Sequence, residues 1–243
     1  MFDDHFEVLL ADTPWAKAIH YNLRYRVYCV ERGYENPEAF PDGKERDHYD
    51  DFSRHFLIRS FESGEWLAAL RIIKFPFEAL PINRVSQIEK DRLPDLGNAQ
   101  VAELSRLCAI APKARLAFDE IGPVTSWVSM AFMRAARAYA LENNIRYLFV
   151  LIADSLARIL NRAGIEFLPV GPMSEYRGKR RPYVHDVRLG YQDMPFKAPR
   201  VYEMFCNTPA YRFVSQTYPP NARTSIRAKG PRSYDSVPLS RSI

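Results

Sequence analysis

Residues 147–153, Tyr-Leu-Phe-Val-Leu-Ile-Ala, form a continuous apolar run in the second half of the chain. Such a run is typical of a central strand that is buried on both faces of a sheet. A long amphipathic helix is predicted before it over 123–143, and Asp154 is predicted to cap a helix that Gly164 ends. A buried strand between two helices indicates a layered α/β or α+β fold.

The segments on either side of this strand extend the same pattern. Further strands are predicted at 6–10, 55–61, 66–74, 100–110, 165–170 and 183–189, and further helices at 13–31, 82–93 and 198–217. No Gly-rich phosphate-binding motif follows any strand, so neither a dinucleotide fold nor a P-loop is supported. We predict one domain over 1–218 and a flexible tail, rich in Pro, Ser and Arg, over 219–243.

The composition favours a globular protein of the cytoplasm. Hydrophobic residues make up 47% of the chain and aromatic residues 13%, which is ample for a packed core. The three cysteines are far apart and lack metal-ligand spacing, which favours a reduced setting without a metal site. The acidic start lacks the pattern of a signal peptide, and no apolar run approaches the ~20 residues that span a bilayer.

Charge is distributed unequally along the chain. Residues 1–121 carry 16 Lys/Arg and 21 Asp/Glu, whereas residues 122–243 carry 18 and 8. A basic half suggests an acidic partner, which leaves a peripheral membrane contact or an acidic protein open. A nucleic acid is disfavoured because no helix presents a sustained Lys/Arg face interleaved with aromatic residues.

Polar groups interrupt the apolar segments at defined points. Residues 45–51, Glu-Arg-Asp-His-Tyr-Asp-Asp, contain four carboxylates, while Arg71, Glu103 and Arg106 lie in predicted buried strands. Charges in buried strands are costly unless they are paired. We therefore predict one shared polar site, with acids from the loop and arginines from the sheet. The alternatives are a solvated acidic loop, and a purely structural ion pair between Glu103 and Arg106.

These residues resemble the pattern of the acyl-homoserine-lactone synthases and the related N-acyl amino acid synthases, two branches of the GNAT acyltransferase superfamily. The resemblance covers about residues 6–170 and rests on Arg24, Tyr28, Tyr34, the set Glu45, Asp47 and Asp50, the segment Leu70-Arg71-Ile72, and Glu103-Leu104-Ser105-Arg106. Residues 164–167 and 176–183 resemble the PEP-CTERM/exosortase system-associated acyltransferases.

The resemblance implies a fold and an activity. The fold is a GNAT-like mixed, mostly antiparallel central sheet with helices on both faces. The activity is the transfer of a fatty acyl group from acyl carrier protein, or less readily acyl-CoA, to the amine of an amino acid or similar small acceptor, with no cofactor. Tyr34 replaces a Trp that is frequent in lactone synthases, which disfavours S-adenosylmethionine as acceptor. The alternatives are an autoinducer synthase that uses S-adenosylmethionine, and a non-catalytic acyl-binding module.

Acyl transfer to an amine requires a base, and a carboxylate with a raised pKa can serve. We predict Glu103 or Glu45 as that base, with backbone N–H groups near 105–108 stabilising the oxyanion. The predicted catalytic residues are Glu103, Glu45, Asp47 and Ser105. The predicted substrate-binding residues are Arg24, Tyr28, Tyr34, Asp50, Arg71 and Arg106.

The expected donor follows from what is missing after the strand at 100–110. Acyl-CoA users in this superfamily have a Gly-rich turn there, whereas residues 111–118 contain no glycine. Acyl carrier protein is acidic, so its docking surface needs basic residues, for which we predict Lys113, Arg115, Lys179 and Arg180. An acyl tunnel is predicted along Met130, Phe132, Met133, Phe149 and Leu151, with plain core as the alternative reading.

Overall fold

One mixed sheet runs through residues 2–110 and 124–219, the part of the chain that the computed structural model describes. Its nine strands there are β1 Phe6–Leu10, β2 Ser53–Ser60, β3 Trp66–Ile73, β4 Gln100–Ala109, β5 Ile145–Ile152, β6 Leu168–Pro169, β7 Ser174–Glu175, β8 Lys179–Asp186 and β9 Arg212–Phe213. The spatial order is β6-β8-β5-β4-β3-β2-β1-β9, and β7 pairs with β8 beside this path. The pairs β4–β5 and β1–β9 are parallel, and the others are antiparallel.

Helices cover both faces of this sheet. They are α1 Phe2–His5, α2 Pro14–Tyr25, α3 Ile82–Val85, α4 Val124–Glu142, α5 Asp154–Arg162, α6 Met194–Lys197, α7 Pro199–Cys206 and α8 Val214–Thr217. Buried residues of α4, α5 and α7 share one large core with the sheet. The helices α2 and α3 pack in two smaller clusters with the side chains that point the other way. The predicted mixed, mostly antiparallel sheet with helices on both faces is confirmed.

The two-residue period of β4 separates polar from apolar side chains. Ala102 and Leu104 lie in the large core beneath α4, whereas Val101 packs with α3 on the other face. Glu103 and Ser105 share the parity of Val101, so they lie on the face that α2 and α3 cover. The predicted polar site is therefore confined to one face.

The first long helix has an α-helical part followed by a π-helical part. Thr13 accepts a hydrogen bond from the Ala16 N–H at 3.2 Å and Pro14 occupies the first turn, as predicted. The α-helix ends at Tyr25, however, and a π-helix follows over Arg26–Glu31. The Tyr28 hydroxyl donates to the Leu107 carbonyl oxygen at 2.9 Å, a contact from the widened turns to β4. π-Helical turns occur often at functional sites.

Several predicted boundaries are wrong. The helix predicted over 82–93 is the short α3 and one 3₁₀ turn at Lys90–Arg92, because the chain between them is extended and the Glu89 N–H bonds the Val170 carbonyl oxygen. The strand predicted at 165–170 shrinks to β6, since the Glu166 N–H bonds Gly190 instead.

The boundaries of two other elements also differ. Ala153 is the N-cap of α5, and Asp154 is its first helical residue. The strand predicted at 183–189 is β8, which begins earlier at Lys179 and which a tight turn ends at Asp186. In the described ranges, no helix combines the length and apolarity needed to cross a bilayer. The predicted tail lies outside the described residues from position 220 onward.

Candidate active site

The strands β4 and β5 separate before either of them ends. Their pairing stops at Leu104 and Val150, although β4 continues to Ala109 and β5 to Ile152. On its other edge, β4 carries a bulge where Ala69 faces Cys108 but Arg71 faces Ser105. Arg106 within this bulge has a φ of 54°. A β-bulge bends and twists its strand, so β4 turns away from β5 and leaves a gap in the sheet.

Six charged side chains meet beside this gap on the α2 face. We call them the ion-pair cluster: Arg24, Glu45, Asp47, Asp50, Arg71 and Arg106. Arg71 contacts both Asp47 at 2.6 Å and Asp50 at 3.0 Å. Arg106 bridges Glu45 at 3.1 Å and Asp47 at 2.9 Å. The structure thus brings together the acidic loop and the arginines of three separate elements, as predicted.

The bulge explains why Arg106 belongs to this cluster. In a regular strand, Arg106 would point to the opposite face from Ser105. The left-handed backbone at Arg106 turns its side chain toward the acidic loop instead. Ser105 itself accepts a hydrogen bond from Arg71 Nε at 3.1 Å. Ser105 therefore anchors Arg71 at the edge of the gap.

Asp50 is the most heavily bonded acid of the cluster. Its Oδ1 accepts from Arg24 at 2.6 Å and from the buried ring of His55 at 3.0 Å, while its Oδ2 accepts from the Asp47 N–H at 2.7 Å. Burial by itself raises the pKa of Asp50, but the His55 hydrogen bond and the charge of Arg24 hold it well below its ordinary range. Asp50 is therefore ionised and ties the loop to the sheet.

The most deeply buried arginines contact the acids of the cluster and expose almost no surface. The side chain of Arg24 is 0% exposed and that of Arg71 is 1% exposed. Arg24 is ion-paired to both Glu45 and Asp50. A substrate role for Arg24 or Arg71 is thus indirect, through the position of the carboxylates. Asp47, with a side chain 24% exposed, is the most accessible acid of the cluster.

The two candidate bases differ sharply in their surroundings. Both oxygens of Glu45 are held by guanidinium groups, from Arg24 and Arg106. Among the described residues, Glu103 instead accepts one hydrogen bond, from the backbone N–H of Ile82 at 2.7 Å. Burial raises the pKa of Glu103 to about 7, against the smaller opposing effect of the Ile82 hydrogen bond. A carboxyl group with such a pKa exchanges protons readily at neutral pH.

Sequence reasoning missed two buried histidines beside the cluster. His55 lies opposite Arg71 in the β2–β3 register, and its ring lies 4.6 Å from that of His20. His20 Nε2 bonds the Leu70 carbonyl oxygen at 3.2 Å. Burial lowers the pKa of both rings. The position of His55, at an inward-facing site of the apolar strand β2, could have indicated a buried polar contact from the sequence.

An apolar cavity lies on the opposite face of the same gap. It measures about 30 Å³ and is lined by Leu70, Leu104, Leu107, Ser129, Phe132, Met133, Val150, Ile152, Leu156, Leu160 and Phe167. Of the residues predicted to line an acyl tunnel, Phe132 and Met133 line this cavity, whereas Met130 does not. Phe149 and Leu151 belong to the cluster on the other face, because they have the opposite parity to Val150 along β5. That part of the tunnel prediction was wrong.

Aromatic rings lie beside the ion-pair cluster on the α2 face of the gap. Tyr28 and Tyr34 lie with their ring centroids 6.2 Å apart. The guanidinium carbon of Arg106 lies 5.8 Å from the Tyr28 ring centroid, and that of Arg177 lies 5.5 Å from it. Cations over aromatic faces attract the ring quadrupole. Both predicted tyrosines therefore lie beside the cluster.

Two of the four predicted carrier-docking residues can be located. Lys179 is exposed at the start of β8, and Arg180 donates to the Arg177 carbonyl oxygen at 3.3 Å. Lys113 and Arg115 lie outside the described residues. The basic β7–β8 hairpin is at the end of β5 where the gap opens, since Ile152 pairs with Arg181.

Comparison with known folds decides which architecture this is. The family model of the Acetyltransferase (GNAT) domain matches residues 23–117, which include the ion-pair cluster and β4. The chain has the GNAT fold. No curated protein sequence gives a significant match.

Three solved structures with the GNAT fold illustrate the similarity. The AHL synthase LasI has a TM-score of 0.60 and 19% identity, over 79% of this chain and 95% of that one. FeeM, an N-acyl amino acid synthase from uncultured soil microbes, has a TM-score of 0.57 and 15% identity, over 76% of this chain and 92% of that one. The CoA-dependent acyl-homoserine lactone synthase BjaI has a TM-score of 0.58 and 17% identity, over 86% of this chain and 92% of that one. The domain match and this fold together support an acyltransferase.

Proposed function

We propose that the protein is an N-acyltransferase that moves a fatty acyl group from acyl carrier protein to the amine of an amino acid or similar small acceptor. The observation that carries this proposal is the gap between β4 and β5, which has a carboxyl group of raised pKa on one face and an apolar cavity on the other. A thioester in the gap has its acyl chain on the α4 face and its carbonyl carbon accessible from the α2 face.

The reaction needs few groups. The amine nitrogen attacks the thioester carbonyl carbon, a C–N bond forms, and the C–S bond breaks to release the carrier thiolate. The proton lost by the amine passes to Glu103, directly or through water, and finally to the thiolate. General-base assistance of this kind contributes roughly 10²–10⁴-fold. We favour Glu103 over Glu45 because two arginines already hold Glu45.

The oxyanion that forms in this step requires hydrogen-bond donors. Beyond Leu104, β4 has no described pairing with β5, so backbone N–H groups of the 105–108 segment are available on that edge. Donors aimed at a developing oxyanion are worth about 3–4 kcal/mol each. Asp47, as the accessible acid, suits the cationic end of the acceptor.

The cavity sets a condition on the acyl chain. A volume of about 30 Å³ exceeds what a single water needs but is far below the size of a ligand pocket. Binding of a fatty chain therefore requires side chains to move. Leu107 and Leu156 line the cavity and are only partly buried, so we propose that these two side chains move.

A basic surface beside the gap supports a carrier protein as donor. The hairpin residues Lys179 and Arg180 lie where the thioester arm would enter, and an acidic carrier would be attracted to them. The absence of glycine from residues 111–118 supports the same donor. Acyl-CoA is the competing donor, and the link to a PEP-CTERM/exosortase system stays a prediction.

The decisive experiment supplies a panel of acyl carrier protein and coenzyme A thioesters together with amino acids or S-adenosylmethionine, and follows free thiol. Thiol release with a carrier thioester and an amino acid, together with an N-acyl amino acid in the mass spectrum, supports the proposal. A lactone product identifies an autoinducer synthase. Tight binding of acyl chains without thiol release under any condition identifies a binding module and overturns the proposal.

A further inference from the structure

A hairpin arginine spans the gap that separates β4 from β5. Arg177 lies between β7 and β8, next to Gly178, on the β5 side of the gap. Its guanidinium nevertheless lies over Tyr28 and forms an ion pair with Glu35, both of which belong to the segment after α2. The Tyr176 ring centroid lies 5.0 Å from the same guanidinium carbon. Two rings thus fix the orientation of a guanidinium above the α2 face of the gap.

The charge of Arg177 is paired outside the ion-pair cluster, with the Glu35 carboxylate. Three arginines and three carboxylates of the ion-pair cluster neutralise one another. Arg177 is outside this set, and its side chain is 16% exposed. A guanidinium has five N–H donors, of which a bidentate carboxylate uses two. Arg180, which donates to the Arg177 carbonyl oxygen, adds a second positive charge nearby.

We propose that Arg177 binds the carboxylate of the acceptor, so that the acceptor is an amino acid with a free α-carboxylate, and that Glu35 holds this position until the acceptor binds. This inference rests on the proposed N-acyltransferase function. Arg177 would then determine specificity for the acceptor carboxylate, and the Glu35 carboxylate would compete with it for the same guanidinium.

The geometry favours a carboxylate at this point. An exchange of the Glu35 carboxylate for that of a substrate leaves the charge around Arg177 unchanged, so the guanidinium has a carboxylate partner before and after the acceptor binds. The Tyr28 hydroxyl bonds the Leu107 carbonyl oxygen at 2.9 Å, which links the ring under Arg177 directly to the bulge of β4. An acceptor whose carboxylate is bound by Arg177 is thus held next to the bulge of β4 and the ion-pair cluster, and we propose that its α-amine lies on that side.

The test compares amino acids with their carboxamides, which keep the side chain and the amine but lack the charge. L-Phenylalanine, L-leucine and L-alanine are measured against their amides in wild type, Arg177→Gln, Glu35→Gln and the control Arg188→Gln, which removes an exposed charge beyond the far end of β8. We expect Arg177→Gln to raise the KM of the amino acid at least tenfold and that of its amide less than twofold. Glu35→Gln should lower the KM of the amino acid, and Arg188→Gln should change neither.

Equilibrium binding of the same amino acids and amides by calorimetry gives a readout that does not depend on turnover. If no thioester is consumed with any acceptor, the proposed function fails, and the binding preference alone decides the role of Arg177. If Arg177→Gln weakens acids and amides equally, or changes the KM of the thioester donor instead, the inference is overturned.

Discussion

The Glu103 carboxylate accepts a hydrogen bond from the backbone N–H of Ile82 at 2.7 Å, and this links β4 to α3 at the point where the sheet begins to separate. The bond holds one carboxyl oxygen, and the described residues show no hydrogen bond to the other. It also allows a neutral substitute, since the amide oxygen of glutamine can accept the same hydrogen bond.

Replacement of Glu103 by glutamine should therefore abolish turnover without loss of the fold. We expect Glu103→Gln to lower kcat by 10²–10⁴-fold, because the amide cannot take the proton from the amine. Thiol release measures the rate, and circular dichroism checks the fold. Glu78→Gln makes the same chemical change at an exposed residue and should keep full activity. Equal rates for Glu103→Gln and wild type would assign the base to another group.

The same residue should make stability depend on pH in a defined direction. Burial raises the pKa of Glu103 from its ordinary 4.5 to about 7, so between these values the folded chain binds a proton that the unfolded chain has lost. The stability that this proton contributes is complete below about pH 4.5 and is lost as the pH rises through 7.

The stability of Glu103→Gln relative to wild type should accordingly increase from pH 5 to pH 8, by up to about 3 kcal/mol. Urea unfolding of both proteins at each pH isolates this residue from the other titrating groups. A difference that stays constant over this range would contradict the raised pKa.

Neighbouring aspartates should have very different effects on stability. Asp50 is buried and accepts hydrogen bonds from Arg24, Arg71 and His55, whereas Asp51 is exposed. Loss of one partner of a buried pair costs about 3–5 kcal/mol, because the remaining charges stay buried without compensation. We expect that loss for Asp50→Asn and a change within about 0.5 kcal/mol for Asp51→Asn, both measured by urea unfolding. Similar midpoints for the two variants would show that the cluster is not structural.

Two buried phenylalanines on opposite faces of the sheet should separate acyl selectivity from stability. Phe132 lines the apolar cavity, and Phe149 packs against Phe77 on the other face. Substitution of either residue by alanine should cost about 3–5 kcal/mol of stability. Only Phe132→Ala should shift the preferred acyl chain to greater length, as kcat/KM over a thioester series will report. A shift with Phe149→Ala alone would place the chain on the α2 face.

The sequence was sufficient for the architecture and for the membership of the polar cluster. The apolar run at 147–153 indicated a buried strand, because a buried strand rarely contains charged residues. Charged residues inside other apolar strands indicated a shared polar site, because a buried charge is costly unless it is paired. The resemblance to known synthases supplied the GNAT arrangement, and the comparison with solved structures confirms that fold.

Other features depend on contacts between distant segments and were not predictable. The left-handed backbone at Arg106 depends on the register of β4 with β3, and the π-helix at residues 26–31 contacts β4 through Tyr28. The contacts of His55 with Asp50 and of Arg177 with Glu35 were not predicted, because in each pair the two residues lie on different elements. The roles of the site residues, the donor and the acceptor stay predictions.

The parallel seam between β4 and β5 has a consequence for how the molecule assembles. On one side, β1–β4 pair through antiparallel contacts, while on the other side β5 and β8 form their own antiparallel unit. Parallel pairing requires a long crossover and forms late relative to local hairpins. Because the gap between β4 and β5 lies along this junction, neither unit contains it by itself. Recovery of enzymatic activity during refolding will therefore report the docking of the two units and not the formation of either one.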